Sequence, residues 1–127
     1  MAPYERLEAW RMAHRSVLTI YKVTNDWPGE ERFGLTVQVR RAALSVPVNI
    51  AEGAAKRGHR EFRRFLDISL GSLSELTYLL RFSRDRGLLT PETWTELESL
   101  RDEAGKLTWQ LYRKLSDKLR HEPDTTK

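Results

Sequence analysis

The hydrophobic pattern of the chain is helical over most of its length. Apolar and small side chains recur at alternating steps of three and four residues, the spacing that places them on one face of an α-helix. The pattern predicts four amphipathic helices, over about residues 7–24, 35–57, 59–86 and 91–120. The apolar stripe of the first segment consists of Leu7, Trp10, His14, Val17, Tyr21 and Thr24. No stretch sustains the period of two that a half-buried strand requires.

Turn signals separate the four segments. Helix-breaking residues at 25–29 follow the first segment, and Gly58 and Gly87 follow basic residues at the ends of the second and third. Glycine favours the left-handed conformation that closes a helix, and cations favour its last turn. Thr90 as N-cap and Pro91 at the first helical position are typical of a helix start.

The fold class follows from four long helices and short connections. Consecutive helices joined by short loops pack antiparallel, so we predict an all-α fold, an up-down-up-down four-helix bundle. The bundle is expected to form one domain over residues 1–120, with 121–127 as a polar C-terminal tail.

The second segment contains a proline and two polar residues close to its apolar stripe. Pro47 lacks an amide hydrogen, so we expect a kink there and a freed carbonyl four residues earlier. Asn49 is expected to bond the freed backbone. Glu52 is expected to pair with Arg41 or Arg60. A small-molecule or catalytic site at Asn49 and Glu52 is the alternative.

Small residues are concentrated on the second and third segments. They let two helix axes approach closely, so these segments are expected to pack tightly against each other. Gly53 and Gly71 each cost about 1 kcal/mol relative to alanine inside a helix, and close packing is expected to offset that cost.

The composition excludes several kinds of chemistry. The 127 residues include no cysteine, which excludes disulfides, cysteine-ligated metals and thiol catalysis. No glutamate stands three residues before His14, His59 or His121, so the Glu-x-x-His pairs of di-iron bundles are missing, as are phosphate-binding glycine loops. His14 is expected to be a hydrogen-bonded core residue. We therefore predict no metal, no cofactor and no enzymatic activity.

The apolar runs are too short to cross a bilayer, and acidic residues interrupt the N-terminus where a signal peptide would lie. We expect no membrane association and a soluble cytoplasmic protein.

The positive charge of the chain is local. The formal net charge is +4, and residues 40–67 alone hold seven basic and three acidic side chains. A local basic excess is typical of a surface that binds a polyanion, whereas the alternative is an ordinary solvated helix end. The candidate phosphate-binding residues are Arg40, Arg41, Lys56, Arg57, Arg60, Arg63 and Arg64.

The fourth segment carries apolar residues on a second face. Gly105, Trp109 and Tyr112 lie beside its main stripe. A helix with two apolar faces requires a second partner, so Trp109 and Tyr112 are candidate oligomer-interface residues. The alternative is that the two rings only widen the face that meets the core.

Several stretches of the chain resemble one bacterial four-helix-bundle family. The family includes the 23S rRNA intervening-sequence proteins and the accessory proteins of diversity-generating retroelements. Its most specific match is Pro-x-Asn-Ile-Ala-Glu-Gly at residues 47–53, and Gly71 belongs to a further match at 71–76. The remaining matches are Leu7-Glu8-Ala9-Trp10, Pro28, Glu31, Gly34-Leu35, Arg41-Ala42-Ala43, Ser45-Val46, Glu61-Phe62 and Phe65-Leu66. The chain departs from many relatives at Val48 and Gly58, where those relatives have serine.

The resemblance implies an assembly and a class of partner. It implies a homopentamer, five bundles arranged as a barrel around a central channel, and association with nucleic acid in some branches. In the retroelement branch the partner is a reverse transcriptase with RNA or DNA. Our leading hypothesis is a non-enzymatic oligomeric scaffold that binds RNA or DNA backbone through the basic segment. The alternative is a protein-interaction adaptor, for example for a reverse transcriptase or another nucleic-acid enzyme, with no direct nucleic-acid contact.

Overall fold

The computed structural model describes residues 1–121 and consists of four helices joined by short turns. The helices are α1 (Glu8–Thr24), α2 (Leu35–Ala54), α3 (His59–Asp85) and α4 (Pro91–Arg120). Single turns of 3₁₀-helix at Pro3–Arg6 and Gly29–Glu31 precede α1 and α2. This part of the chain contains no strand, so the all-α prediction is confirmed. Of the predicted tail, only His121 lies within the described residues.

The four helices form a closed ring of neighbours. Helix α1 packs against α2 and α4, and α3 packs against the same two helices, with α2 and α3 in the most extensive contact. This arrangement is a four-helix bundle in which each helix lies beside the next one in the chain. None of the helices within residues 1–121 is both long and apolar enough to cross a membrane.

The helix ends follow the turn signals of the sequence. Gly58 and Gly87 adopt φ of 86° and 81°, the left-handed region that glycine enters without strain. After Gly87 the Leu88 amide donates to the Ser83 carbonyl at 3.0 Å, which closes the end of α3. At the start of α4 the Thr93 amide donates to Thr90 Oγ1 at 3.1 Å, so Thr90 is the predicted N-cap.

The core runs along the bundle as two adjoining clusters. One lies toward the turn between α3 and α4 and the other toward the turn between α2 and α3. Their largest fully buried side chains are Ile20, Val39, Val46, Ile50, Leu66, Leu76, Leu80 and Leu97. The periodic stripes of α2, α3 and α4 predicted most of these positions.

The prediction that His14 lies in the core face of α1 was wrong. His14 is exposed and stacks on Trp10 with ring centroids 4.8 Å apart, so it is not a core residue. The buried face contains Ala9 and Ala13 instead. Small residues occupy that face because α1 packs against two neighbouring helices, and the larger aromatic rings lie at its margins.

The polar residues beside Pro47 bond differently from the prediction. Helix α2 continues through Pro47, which is buried. Asn49 Nδ2 donates to the Ser45 carbonyl at 2.8 Å, so it bonds the backbone, but not the carbonyl that Pro47 leaves free. Ser45 Oγ lies 2.8 Å from Ser72 Oγ of α3 and thereby links the two helices.

Glu52 and Gly71 also differ from the prediction. Arg41 pairs with Glu75 of α3 rather than with Glu52, and within residues 1–121 Glu52 makes no ion pair. Gly53 is buried against α3 as predicted, whereas Gly71 is exposed with no other part of the protein close to it. Which of these residues face α3 depends on how α2 is rotated relative to α3, and the sequence pattern does not predict that rotation.

Candidate nucleic-acid interface

Cationic side chains converge where the chain turns from α2 into α3. Helix α2 ends at Ala54, the left-handed Gly58 reverses the chain, and α3 begins at His59. The turn and the first two turns of α3 therefore place five cations at one corner of the bundle. We call Lys56, Arg57, Arg60, Arg63 and Arg64 the basic corner.

Two cations of the basic corner rest on the ring of Phe65. Lys56 Nζ lies 5.4 Å and Arg64 Cζ 4.6 Å from its centroid, and the Phe65 side chain is buried. A cation over an aromatic face is held by the ring quadrupole while its outer side stays hydrated. Arg64 also pairs with Glu61 at 2.7 Å, a bond between two half-exposed groups that competes with any phosphate.

A cleft of about 550 Å³ opens between this corner and α4. The lining residues are Arg60, Glu61, Arg63, Arg64, Asp67 and Tyr112. Arg63 bridges the two helices, because its guanidinium lies 6.0 Å from the Tyr112 ring centroid and donates to Ser116 Oγ at 3.4 Å. The cleft thus combines three arginines and an aromatic ring with two carboxylates, one of which is already paired.

The structure does not bring Arg40 and Arg41 to the basic corner. Both lie in the first half of α2, about 20 Å from its end at the helical rise of 1.5 Å per residue. Arg40 Nε donates to Thr24 Oγ1 at 2.8 Å and its guanidinium covers the Tyr21 ring, so it ties α2 to α1. Arg41 Nη2 contacts the Glu75 carboxylate at 2.5 Å. The candidate interface therefore narrows from seven cations to five.

Helix α4 carries an aromatic pair, of which Tyr112 lines the cleft. Trp109 and Tyr112 are stacked, with ring centroids 5.5 Å apart and 11° between their planes. Tyr112 packs against the core cluster, so it does widen the core face, but Trp109 is 49% exposed. The sequence periodicity placed both rings on a second face of α4. It could not predict the contact between Tyr112 and Arg63, because that contact depends on how α3 packs on α4.

A second surface was missed by the sequence reasoning. The outer faces of α2 and α3 expose six large apolar side chains: Val37, Leu44, Val48, Ile68, Tyr78 and Phe82. We call these residues the outer apolar face. These residues are spaced by seven and four positions on α2 and by ten and four on α3, a weaker second pattern on each helix that the stronger core stripe concealed.

Within residues 1–121 no group of acidic and histidine side chains is arranged to hold a metal ion. Every buried side-chain nitrogen or oxygen in the same part of the chain has a hydrogen-bond partner. The alternative of a ligand site at Asn49 and Glu52 therefore has no unsatisfied buried polar group to support it.

Comparison with known proteins identifies the family. The chain resembles a protein of unknown function from the S23 ribosomal protein family of Bacteroides thetaiotaomicron, whose crystal structure superposes with a TM-score of 0.76 at 20% identity. The match covers 83% of this chain and 95% of that one, and at this identity it shows a common fold. Comparison with curated proteins gives no match. The family model for the 23S rRNA-intervening sequence protein matches residues 5–110, nearly the whole bundle, and the chain belongs to that family.

Proposed function

We propose that this chain is a non-enzymatic, oligomeric scaffold that binds the nucleic-acid backbone through the basic corner. One observation carries the proposal. Five cations converge at one end of the bundle, and of these five only Arg64 is paired with a carboxylate of residues 1–121. The family name refers to an intervening sequence of 23S rRNA, which favours RNA as the first ligand to test.

The chemistry of the corner suits phosphate contacts better than base recognition. Arginine offers a planar fork of donors that matches phosphate oxygens, and four of the five cations are arginines. Such contacts position a nucleic acid without reading its sequence. Binding is therefore expected to depend weakly on sequence and strongly on salt, because each neutralised phosphate releases counterions.

The outer apolar face supports self-association. Leu44 and Val48 of α2 and Ile68 of α3 are each about two-fifths exposed, and the family resemblance implies a homopentamer. A second copy that covers this face would bury these side chains. Each copy brings one basic corner, so a ring would multiply weak phosphate contacts by avidity.

Nucleic-acid binding is tested by fluorescence anisotropy with labelled RNA and duplex DNA at rising salt. The corner variant Arg57→Ala/Arg60→Ala/Arg64→Ala is compared with Arg15→Ala/Arg32→Ala/Arg81→Ala, which removes the same charge from other parts of the bundle. The corner variant should lower the slope of log K against log salt by about 2–3, while the control keeps the wild-type slope. Equal losses in both variants would assign the affinity to net charge rather than to the corner.

Self-association is tested by light scattering. Leu44→Gln/Ile68→Gln should reduce the molar mass of the assembly, whereas Leu18→Gln, which changes an exposed leucine on α1, should not. A wild-type monomer would remove the avidity argument. A protein partner recovered after nuclease treatment, without affinity for RNA or DNA, would replace the proposal with the adaptor function.

A further inference from the structure

We infer that Trp109 and Tyr112 form a stacking platform for unpaired bases, so the basic corner and α4 together bind single-stranded nucleic acid. This inference rests on the proposed function and adds that the nucleic acid bound is single-stranded rather than duplex. It also gives the two rings a role other than the candidate subunit contact or the wider core face that the sequence left open.

The geometry provides one open aromatic face next to an arginine cleft. Arg63 lies over Tyr112, and Tyr112 stacks on Trp109, so a cation and two rings follow one another across the α3–α4 groove. Tyr112 comes three residues after Trp109 on the same helix and covers one face of the indole. Trp109 itself is 49% exposed, so its ring remains accessible to a ligand.

The preceding turn of α4 has open space at Gly105. Gly105 lies one helical turn before Trp109, and a Cβ built on it would have no atom of another part of the protein within 4 Å. Residues four apart are neighbours on a helix surface, and the Trp109 side chain leans toward the N-terminus, so a larger residue at 105 would lie alongside the indole. Glycine costs about 1 kcal/mol relative to alanine inside a helix, and no close contact with another part of the protein requires it at this position.

Stacking selects unpaired strands. A base inside a duplex is already stacked on both faces, whereas an unpaired base offers a free π-face to an aromatic ring. The arginines of the cleft can contact the phosphates on either side of such a base. Aromatic rings beside a positively charged groove are the usual means by which proteins bind single strands without reading their sequence.

The subunit contact is the competing role for these rings. The outer apolar face presents six apolar side chains of α2 and α3 to a second copy, whereas Tyr112 lines a cleft of three arginines and two carboxylates, with Trp109 stacked on it. A subunit contact at the cleft would remove water from the charged groups of Arg60 and Arg64, which costs free energy. A phosphate ligand offsets that cost by binding the arginines, whereas an apolar surface of a second copy does not.

The test compares a labelled oligouridylate of about 12 nucleotides with duplex RNA of the same length. Trp109→Ala should weaken single-strand binding about 10-fold or more and change duplex binding by less than about twofold. Trp109→Phe should keep most of the affinity. Phe33→Ala, which removes an aromatic ring 88% exposed before α2, is the matched control and should bind like the wild type.

Two further measurements do not depend on deleting a ring. Gly105→Leu places a side chain beside the indole without removing an aromatic, and it should weaken only single-strand binding. Intrinsic tryptophan fluorescence should be quenched when the oligouridylate binds, and this quenching should be lost in Trp109→Phe although the other three tryptophans remain.

The outcomes separate this inference from the proposed function. If both forms of RNA bind equally and Trp109→Ala changes neither, the platform is wrong and backbone binding by the corner stands. If Trp109→Ala lowers the molar mass measured by light scattering, the rings are a subunit contact and the inference is overturned. If no nucleic acid binds the wild type, the proposed function and the platform both fail.

Discussion

Gly53 of α2 lies directly against Phe62 of α3. A Cβ on Gly53 would stand 2.8 Å from Phe62 Cδ1 and 2.9 Å from Phe65 Cβ, both closer than carbon atoms approach in a packed core. The Phe65 Cβ is fixed to the backbone of α3, so it cannot move aside as the end of a side chain can. The glycine therefore sets how closely α2 and α3 approach at the end of the bundle that carries the basic corner.

Replacing Gly53 should separate the two helices. We expect Gly53→Ala to lower the free energy of unfolding by about 1 kcal/mol, because overpacking costs about 1–3 kcal/mol and the better helix propensity of alanine recovers about 1. Urea unfolding followed by circular dichroism measures the change. A variant as stable as the wild type would show that the contact is not rigid.

Gly71 provides the matched substitution without a contact. It also lies inside a long helix, but a Cβ there would meet nothing within 4 Å. Gly71→Ala should raise the free energy of unfolding by about 0.5–1 kcal/mol, since alanine restricts the unfolded chain and favours the helix. The same urea experiment checks it, and a loss of stability would indicate that Gly71 packs against another copy in the assembly.

Arg40 and Arg41 should matter for stability and not for nucleic-acid binding. Arg40→Ala should cost about 1–2 kcal/mol, because it removes the bond to the buried Thr24 hydroxyl and the cover over Tyr21. Arg41→Ala should cost less than about 1 kcal/mol, since its pair with Glu75 is exposed. RNA affinity of both variants should stay within about twofold of the wild type. A loss as large as that of Arg60→Ala/Arg64→Ala would extend the interface along α2.

The N-cap of α4 should contribute measurably to stability. Thr90→Ala removes the acceptor for the Thr93 amide and should cost about 1 kcal/mol, which corresponds to a fall in Tm of about 4 °C for a chain of this size. Thr90→Ser keeps the acceptor and should behave like the wild type. Thermal unfolding of the three proteins side by side gives the answer, and an unchanged Tm in Thr90→Ala would contradict the assignment.

The candidate site was only partly predictable from the sequence. Lys56, Arg57 and the arginines of α3 stand close together in the chain, and a turn followed by two helical turns keeps them close in space. Arg40 belongs to the same basic segment, but the rise of an α-helix carries it about 20 Å away. The outer apolar face was overlooked because its spacing repeats the spacing of the core, and periodicity alone does not tell which stripe a neighbouring helix covers.

The sequence by itself determined the four helices, most of the residues at which they begin and end, and most of the core of α2, α3 and α4; α2 ends at Ala54, three residues before the predicted end. These features depend on local chemistry: the left-handed freedom of Gly58 and Gly87, the capping hydroxyl of Thr90, and a period of three to four residues. Only the tertiary structure decided the rest. Arg41 pairs with Glu75, His14 lies outside the core, and Arg63 covers Tyr112, because each depends on how one helix is rotated and shifted against another. That geometry results from packing many side chains together, and no short stretch of the chain contains it.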